Sequence, residues 1–422
     1  MSDYLSELRS TIQDNPASFG YTQKDILIKS GIGIVDYLNG EITVNDDGST
    51  VEAVGFDAGK AIMIVGKAGS GKSSLGIQIA TNIMKNYENS DLYILDYEQS
   101  NKIERVRNIS GLSQDYINKH VLLLQTGIYT ETVLALVKQI YDTKKKYADE
   151  IMIDNCDGLR DKNGKVIKMF PPTFIMIDSW TTMMPKADIS DNGGVIDGQT
   201  IGGRTAQVNK QVLKKILQPC LEANIIPIII NQLSANMSIG PMPAESQTRF
   251  LKNTLTIPGG KSLTYLVNTI MMIDAGSKLE PTEKYKIKGF EANITLIKSR
   301  NSSGGRAAMM IFDQAEGFDN DLSMFELMRA NKQIGGAGIG MYINGYNDEK
   351  FSMANLKDKL LTSPTLRSKF DALGQSLLSG SLEVSSKVSM AKATGASNDA
   401  QAAMAALDAA VSADKDADDD DK

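Results

Sequence analysis

The chain has 422 residues, 42% of them hydrophobic and 23% charged, and a net charge of −6, the make-up of a globular protein with one large domain and appendages or with two to three domains. Its single histidine, His120, excludes a Ser–His triad that needs a second tuned imidazole and any multi-histidine metal site, while the distant Cys156 and Cys220 have no metal-ligand spacing and fit a reducing cytoplasm. No apolar run reaches membrane-span length and the opening MSDYLSELRS is too polar for a signal peptide, so a cytoplasmic protein without a membrane partner is expected.

Residues 1–30 read as a short amphipathic helix (Leu5, Leu8 and Ile12 on one face) and a polar linker, either a packed terminus or an arm docking on a neighbouring subunit. Alternation around Asp47-Gly48 predicts a surface hairpin at 41–54. Ile62-Met63-Ile64-Val65 then reads as a buried strand, and Leu75, Ile79, Ile83, Met84 and Tyr87 recur at helical spacing after it. Between strand and helix, Gly66, Gly71, Lys72 and Ser73 satisfy G-x-x-x-x-G-K-[ST]. This order suits a nucleotide triphosphate. Its glycines let the backbone of Gly66, Lys67, Ala68, Gly69, Ser70, Gly71, Lys72, Ser73 and Ser74 wrap the phosphates. The helix N-terminus adds its dipole, Lys72 reaches the β/γ-phosphates, and Ser73 ligates Mg²⁺. The plain alternative is a Gly-rich turn without a nucleotide, which would rarely sit between a buried strand and a helix.

Leu92 to Leu95 is a second buried strand, ending in Asp96-Tyr97-Glu98-Gln99. Glu98, at the end of a parallel strand beside the P-loop, is placed to hold an attacking water, against the alternative of a solvated loop residue. His120 is expected at a helix end ahead of a strand at Val121 to Leu124. The helix from Thr130 to Lys145 ends in a Lys run that reads as a solvated face, and Asn163-Gly164 suggests a second inserted hairpin at 154–172. The strand Phe174 to Ile177 ends in Asp178, which would hold Mg²⁺ through its water shell. Ile225 to Ile230 contains Pro227, so a regular central ladder is not expected throughout, and it ends in Asn231-Gln232, an amide placed to sense a γ-phosphate. Strands alternating with helices predict an α/β fold: a P-loop core with a mainly parallel central sheet flanked by helices.

Two stretches leave the strand-end face without clear structure, Asp188 to Gly203 and Leu233 to Gly260, and loops of that length are usually functional or disordered. The first is net negative, so a phosphate backbone would have to meet N–H groups, as at Gly202 and Gly203, and Arg204. The second ends among Arg249, Lys252, Gly259, Gly260 and Lys261, against Glu245 alone, which suits phosphates. Lys298 and Arg300, at i and i+2 after a strand, are either a basic edge or cations reaching a phosphate, possibly on the next subunit. A helical pattern covers Phe351 to Gly380, and after Ser381 the composition turns to Ala, Ser, Asp and Lys and reads as disordered. Residues 412–422 carry six Asp and two Lys, so the rest of the chain stands at −2 and leaves room for a local basic groove.

Taken together, GKAGSGKS at 66–73, Asp96-Tyr97-Glu98, IMIDSWTTMMPKAD at 175–188, Ile230-Asn231-Gln232, Gly259-Gly260-Lys261 and Ile297-Lys298-Ser299-Arg300 resemble the RecA family of recombinases, in particular its tailed-phage UvsX-like branch. Their order and spacing fit over about residues 30–330. The resemblance implies a RecA-like core that binds ATP and Mg²⁺ and forms a helical filament with itself on single-stranded DNA. It would pair that strand with homologous duplex DNA, with DNA-stimulated ATP hydrolysis, in recombination, repair and replication. Glu98 would activate water, Gln232 would sense the γ-phosphate, and Lys298 and Arg300 would act across the filament interface. The stretches after 188 and 233 would be the two DNA-binding loops. A single-strand-binding protein and a loading factor are partners by resemblance only, and a phage-encoded chain would work in the host cytoplasm. The sequence departs from the family where its adenine-holding polar and aromatic pair should stand: Lys102 and Arg105 follow Glu98 instead, and Arg105 is counted with the nucleotide-binding residues.

The organisation expected is an N-terminal arm at 1–30, a RecA-like core at 31–330, a small C-terminal helical subdomain at 331–380 and a disordered acidic tail at 381–422. Two rivals share the core. A ring helicase would need an N-terminal collar, for which the 30 residues ahead of the core are too few. A regulatory P-loop ATPase would not need Glu98 beside Lys72 and Asp178.

Overall fold

Apolar runs that are hydrophobic at every position need cover on both faces, and these form the central strands. The structure, a computed structural model, describes residues 26–44, 50–160, 164–190, 198–236, 247–281 and 286–393. The strands are β1 (Ile62–Gly66), β2 (Leu92–Asp96), β3 (Val121–Leu124), β4 (Thr173–Asp178) and β5 (Ile225–Gln232). After them come β6 (Thr269–Leu279), β7 (Gly289–Lys298), β8 (Ala307–Asp313) and β9 (Gly317–Asp319). They make one nine-stranded sheet in the order β9-β8-β7-β6-β1-β5-β4-β2-β3. From β6 to β3 all neighbours are parallel, and β6 to β9 form an antiparallel meander.

The period-2 alternation sorts each central strand into two cores. On one face Ile62 and Ile64 of β1, Phe174 and Met176 of β4 and Ile226, Ile228 and Ile230 of β5 pack on Leu75, Ile79 and Ile83 of helix α1 (Lys72–Met84). The other face takes Met63, Val65, Ile175, Ile177 and Ile229. They pack against Val133 and Val137 of α3 (Thr130–Lys146) and Val212, Leu213 and Ile216 of α4 (Gly198–Ala223); α2 (Ile103–Ser110) lies between β2 and β3 in the chain. The parallel register brings the strand ends level: Asp178 stands opposite Asp96, and Gln232 opposite Gly66.

The hairpin expected at 41–54 is present as Glu41–Val44 paired with Thr50–Ala53, its tip lying outside the described residues. At 154–172 a short antiparallel pair, Ile153–Asp154 with Lys168–Met169, forms the base of the second. His120 ends a helix directly before β3, as expected.

Pro227 pairs in register with Ile175 and leaves β5 unbroken on that side, while on the other the ladder to β1 starts only at Ile228, the irregularity that the proline led one to expect. Several expectations change. The Lys run of α3 is not wholly solvated, because Lys144 is buried and donates to the carbonyls of Pro171 at 2.5 Å and Ala223 at 2.9 Å. The first loop is shorter than the composition suggests, since α4 begins at Gly198. Gly202 and Gly203 cost it about 1 kcal/mol each relative to Ala, offset by the buried face of a 26-residue helix. The second loop carries its own two-stranded base, Ser234–Ala235 with Leu255–Thr256. It closes on α5 (Lys261–Leu266).

Beyond β9, α6 (Asn320–Ala330) is followed by a three-stranded sheet built from Ile334–Gly335, Met341–Ile343 and Tyr346–Phe351, where only helices were expected. With α7 (Leu356–Thr362) and α8 (Pro364–Ala393) it encloses a third core around Phe325, Phe351, Leu366 and Phe370. Helix α8 continues past Ser381, where disorder was expected, and Leu378 and Leu382 pack it into the first core beside the helix Gly33–Leu38. The arm at 1–25 and the tail from 394 lie outside the described residues.

Candidate functional site

At the end of β1 the chain turns sharply, and the sequence dictates why. A Cβ on Gly66 would stand 2.5 Å from the Ile273 carbonyl, and Gly69 and Gly71 adopt φ of +75° and +88°. The Ser70 N–H closes the turn on the Lys67 carbonyl at 3.3 Å. Gly71 starts α1 without a side-chain cap, so the helix presents uncapped N–H groups and the positive end of its dipole. Ser70 Oγ is buried in this turn with no hydrogen-bond partner among the described residues. Lys72 folds back on the turn, donating to the Lys67 carbonyl at 2.7 Å. Burial pushes its pKa down, and the charges of Asp178 and Glu98 counter that. Such a cradle can hold a compact polyanion.

Across from the turn stand the carboxylates. Ser73 Oγ donates to Asp178 Oδ2 at 2.6 Å, so the two residues expected on the metal side touch directly. Asp178 is 2% exposed, and burial raises its pKa against the bonds from Ser73 and Asn101; Glu98 and Asp96 add to the rise. Glu98 accepts from Ser179 Oγ and from Gln232 Nε2 at 3.3 Å. Its backbone is fixed as well, since the N–H groups of Tyr97 and Glu98 both donate to the Asp178 carbonyl, at 2.6 and 3.3 Å. Lys72, Ser73, Glu98, Asp178 and Gln232, read separately from the sequence, thus meet at one edge of four adjacent strands.

Arg105 joins them from α2. Its guanidinium donates to Ser74 Oγ at 3.0 Å and to the carbonyls of Gln314 and Ala315, and lies 6.0 Å from the Phe312 ring centroid. Cavities of about 300 Å³ open on either side of it. One is lined by Ser100, Asn101 and Lys102, the other by Gly69, Phe290 and Phe312, and both include Ser73 and Ser74.

Gln232 leads straight into the second loop, whose root is tied to the same turn: the Leu233 N–H donates to the Gly66 carbonyl at 3.3 Å, and Asn231 Nδ2 to the Pro258 carbonyl at 2.8 Å. The return limb passes Gly259, where a Cβ would stand 2.9 Å from the Trp180 ring. Arg249, Lys252, Gly260 and Lys261 are exposed, with Arg249 over the Phe250 ring at 5.6 Å. Lys261 opens α5 instead of lying in the loop. Gly202, Gly203 and Arg204 lie in the first turns of α4, not in a loop, and Arg204 pairs with Asp188 at 3.4 Å.

Lys298 and Arg300 are not brought to this edge. Strand β7 runs antiparallel to β6, so Lys298 stands opposite Ile270 and level with Met63, about 10 Å short of Gly66 along the strand and toward the far edge of the sheet. There Lys298 Nζ donates to the carbonyls of Thr264, Tyr265 and Val267 at 2.7, 3.0 and 2.7 Å, and Arg300 to that of Tyr265 at 2.7 Å. Burial and the neighbouring Arg300 lower the Lys298 pKa to about 8. Neither cation is therefore directed at the chain's own turn after β1.

Sequence reasoning missed Ser179 and Asn101, which hold the two carboxylates. Ser179 carried a signal, a hydroxyl directly after the strand-end acid; Asn101 carried none. Among the described residues no helix is long and apolar enough to cross a membrane. Compared with known proteins, the chain matches no family model and no curated protein.

Proposed function

We propose that this chain is an ATP-dependent recombinase of the RecA kind, in the UvsX-like branch, that assembles on single-stranded DNA and pairs it with a homologous duplex. The observation that carries the reading is the hydrogen bond of Gln232 to Glu98 beside Lys72 and Ser73, with Gln232 also the last residue of β5, directly before the loop tied to Gly66. A switch would need only the cradle. A motor needs a base, and a sensor that leads from it to a nucleic-acid loop.

The residues fit Mg²⁺–ATP: a helix start without a side-chain cap, a buried Ser70 hydroxyl with no partner among the described residues, and Ser73 in contact with a buried carboxylate. Lys72 would leave the Lys67 carbonyl for the phosphates, and Arg105, beside both cavities, would border the rest of the nucleotide. Ser73 and Asp178 would hold Mg²⁺, whose charge offsets that of the β- and γ-phosphates. Glu98, kept in place by Ser179, would take the proton of the attacking water, and Gln232 would exchange its bond to Glu98 for the γ-phosphate and carry its presence into the second loop. Lys298 and Arg300 would serve a neighbour's phosphates, which makes hydrolysis depend on assembly. Arg249, Lys252, Gly259, Gly260 and Lys261 would line the DNA backbone, with Arg204 added from the first turns of α4. The test is phosphate release with and without single-stranded DNA. Stimulation of at least tenfold supports the reading, and a rate indifferent to DNA removes it.

A further inference from the structure

Asp96 ends β2 fully buried, directly across the ladder from Asp178, and has no part in the chemistry above. Its Oδ2 accepts the Asn101 backbone N–H at 2.8 Å and Gln125 Nε2 at 2.8 Å, while Oδ1 has no partner among the described residues. Gln125, just past the end of β3, also donates to the Asn101 carbonyl at 3.0 Å. Asn101 is therefore gripped at both of its backbone polar groups. Its side-chain amide points the other way and donates to Asp178 Oδ2 at 2.9 Å, the oxygen that also takes the Ser73 hydroxyl.

Two carboxylates side by side in a site this dry repel one another and lose hydration, so each needs a fixed donor. Asn101 supplies one to both. With Oδ2 occupied twice, the Asp178 carboxylate can turn only by breaking two bonds, and its Oδ1 stays free of side-chain donors among the described residues.

We propose that Asn101 is a positioning residue for the divalent cation: clamped by Asp96 and Gln125, it fixes the Asp178 carboxylate against Ser73 and so sets how tightly the site holds Mg²⁺. This rests on the Mg²⁺–nucleotide reading above. Partners that orient a metal-holding group typically change metal affinity 10- to 100-fold when removed. Gln125 does not touch Asp178 and reaches it through the shared network of Asn101 and Asp96, so the two should not contribute independently.

The experiment uses the full chain and a fluorescent ATP analogue, with anisotropy followed as Mg²⁺ is titrated and again in the absence of metal. Asn101→Ala should raise the Mg²⁺ midpoint about 10-fold, well beyond any change in metal-free binding from its place in the cavity wall. Gln125→Ala should shift it several-fold in the same direction, and the double variant no further than Asn101→Ala alone. A midpoint within twofold of the parent for Asn101→Ala, additive shifts, or an equal fall in metal-free binding would overturn the proposal. Should Asn101→Ala fail to fold, Gln125→Ala alone decides: an unmoved midpoint refutes the clamp. A parent chain whose binding ignores Mg²⁺ would instead remove the Mg²⁺–nucleotide reading, and this inference with it.

Discussion

Replacing Glu98 by Gln isolates the step assigned to it. The substitution keeps the side chain's size and an oxygen that Ser179 Oγ can still bond, and Gln232 at 3.3 Å keeps an acceptor; only the charge and the basicity go. Folding and nucleotide binding should persist, since Lys72 retains Asp178 as a counter-charge. A general base contributes about 10²- to 10⁴-fold, or roughly 3–5 kcal/mol of barrier. DNA-stimulated phosphate release by Glu98→Gln should fall by that factor, while the variant still binds a fluorescent ATP analogue and holds single-stranded DNA longer. Ser179→Ala removes the orienting bond to the charged Glu98, about 1.5–3 kcal/mol, together with weaker contacts to Thr181 and Thr182, so a loss of about 10- to 100-fold is expected. Hydrolysis by Glu98→Gln within threefold of the parent would rule Glu98 out as the base, and loss of nucleotide binding would make it structural.

Lys72→Ala should abolish hydrolysis by removing the cradle's cation, and normal phosphate release from that variant would mean the phosphates sit elsewhere. Lys298→Ala and Arg300→Ala should leave nucleotide binding by an isolated subunit intact and remove DNA stimulation, because both lie toward the sheet edge away from their own P-loop. Mixing the Lys298→Ala and Lys72→Ala chains should recover part of the rate, since each supplies what the other lacks; no recovery would reduce Lys298 to a cap on α5. Lys144 tests the core. Burial lowers its pKa from 10.5 to about 7, so between those values the unfolded chain holds the extra proton, and stability rises with pH by up to about 1.4 kcal/mol per unit. Lys144→Met should lose that slope and, above pH 9, be less stable by about 1–3 kcal/mol with the Pro171 and Ala223 carbonyls unpaired. Urea unfolding at pH 7 and pH 9.5 checks both, and parallel curves for the two chains would refute the assignment.

What the sequence made legible were features whose physics is local. Ile62 to Val65 reads as a strand because every position is apolar, and the structure buries all of them between two cores. The glycine turn after β1 is legible because Gly66, Gly69 and Gly71 stand where a Cβ would clash or φ is positive. Glu98, Asp178 and Gln232 followed from their places at strand ends. Features set by long-range packing stayed hidden. Gly198 to Gly203 has loop composition, and it becomes helical because the residues that follow cover the sheet. Lys298 was legible as a cation on a strand, but its edge depends on the antiparallel turn into β7, which no local pattern encodes. Asn101 is linked to both carboxylates only because β2 and β4 pair and bring Asp96 beside Asp178.

The central claim is assembly on DNA coupled to ATP. The most direct measurement is electron microscopy of the full chain with ATP, Mg²⁺ and long single-stranded DNA. We predict continuous helical filaments that form with ATP, shorten as it is hydrolysed, and lose their hydrolysis but not their DNA in Glu98→Gln. Closed rings, or particles that do not change when DNA is added, would contradict the claim.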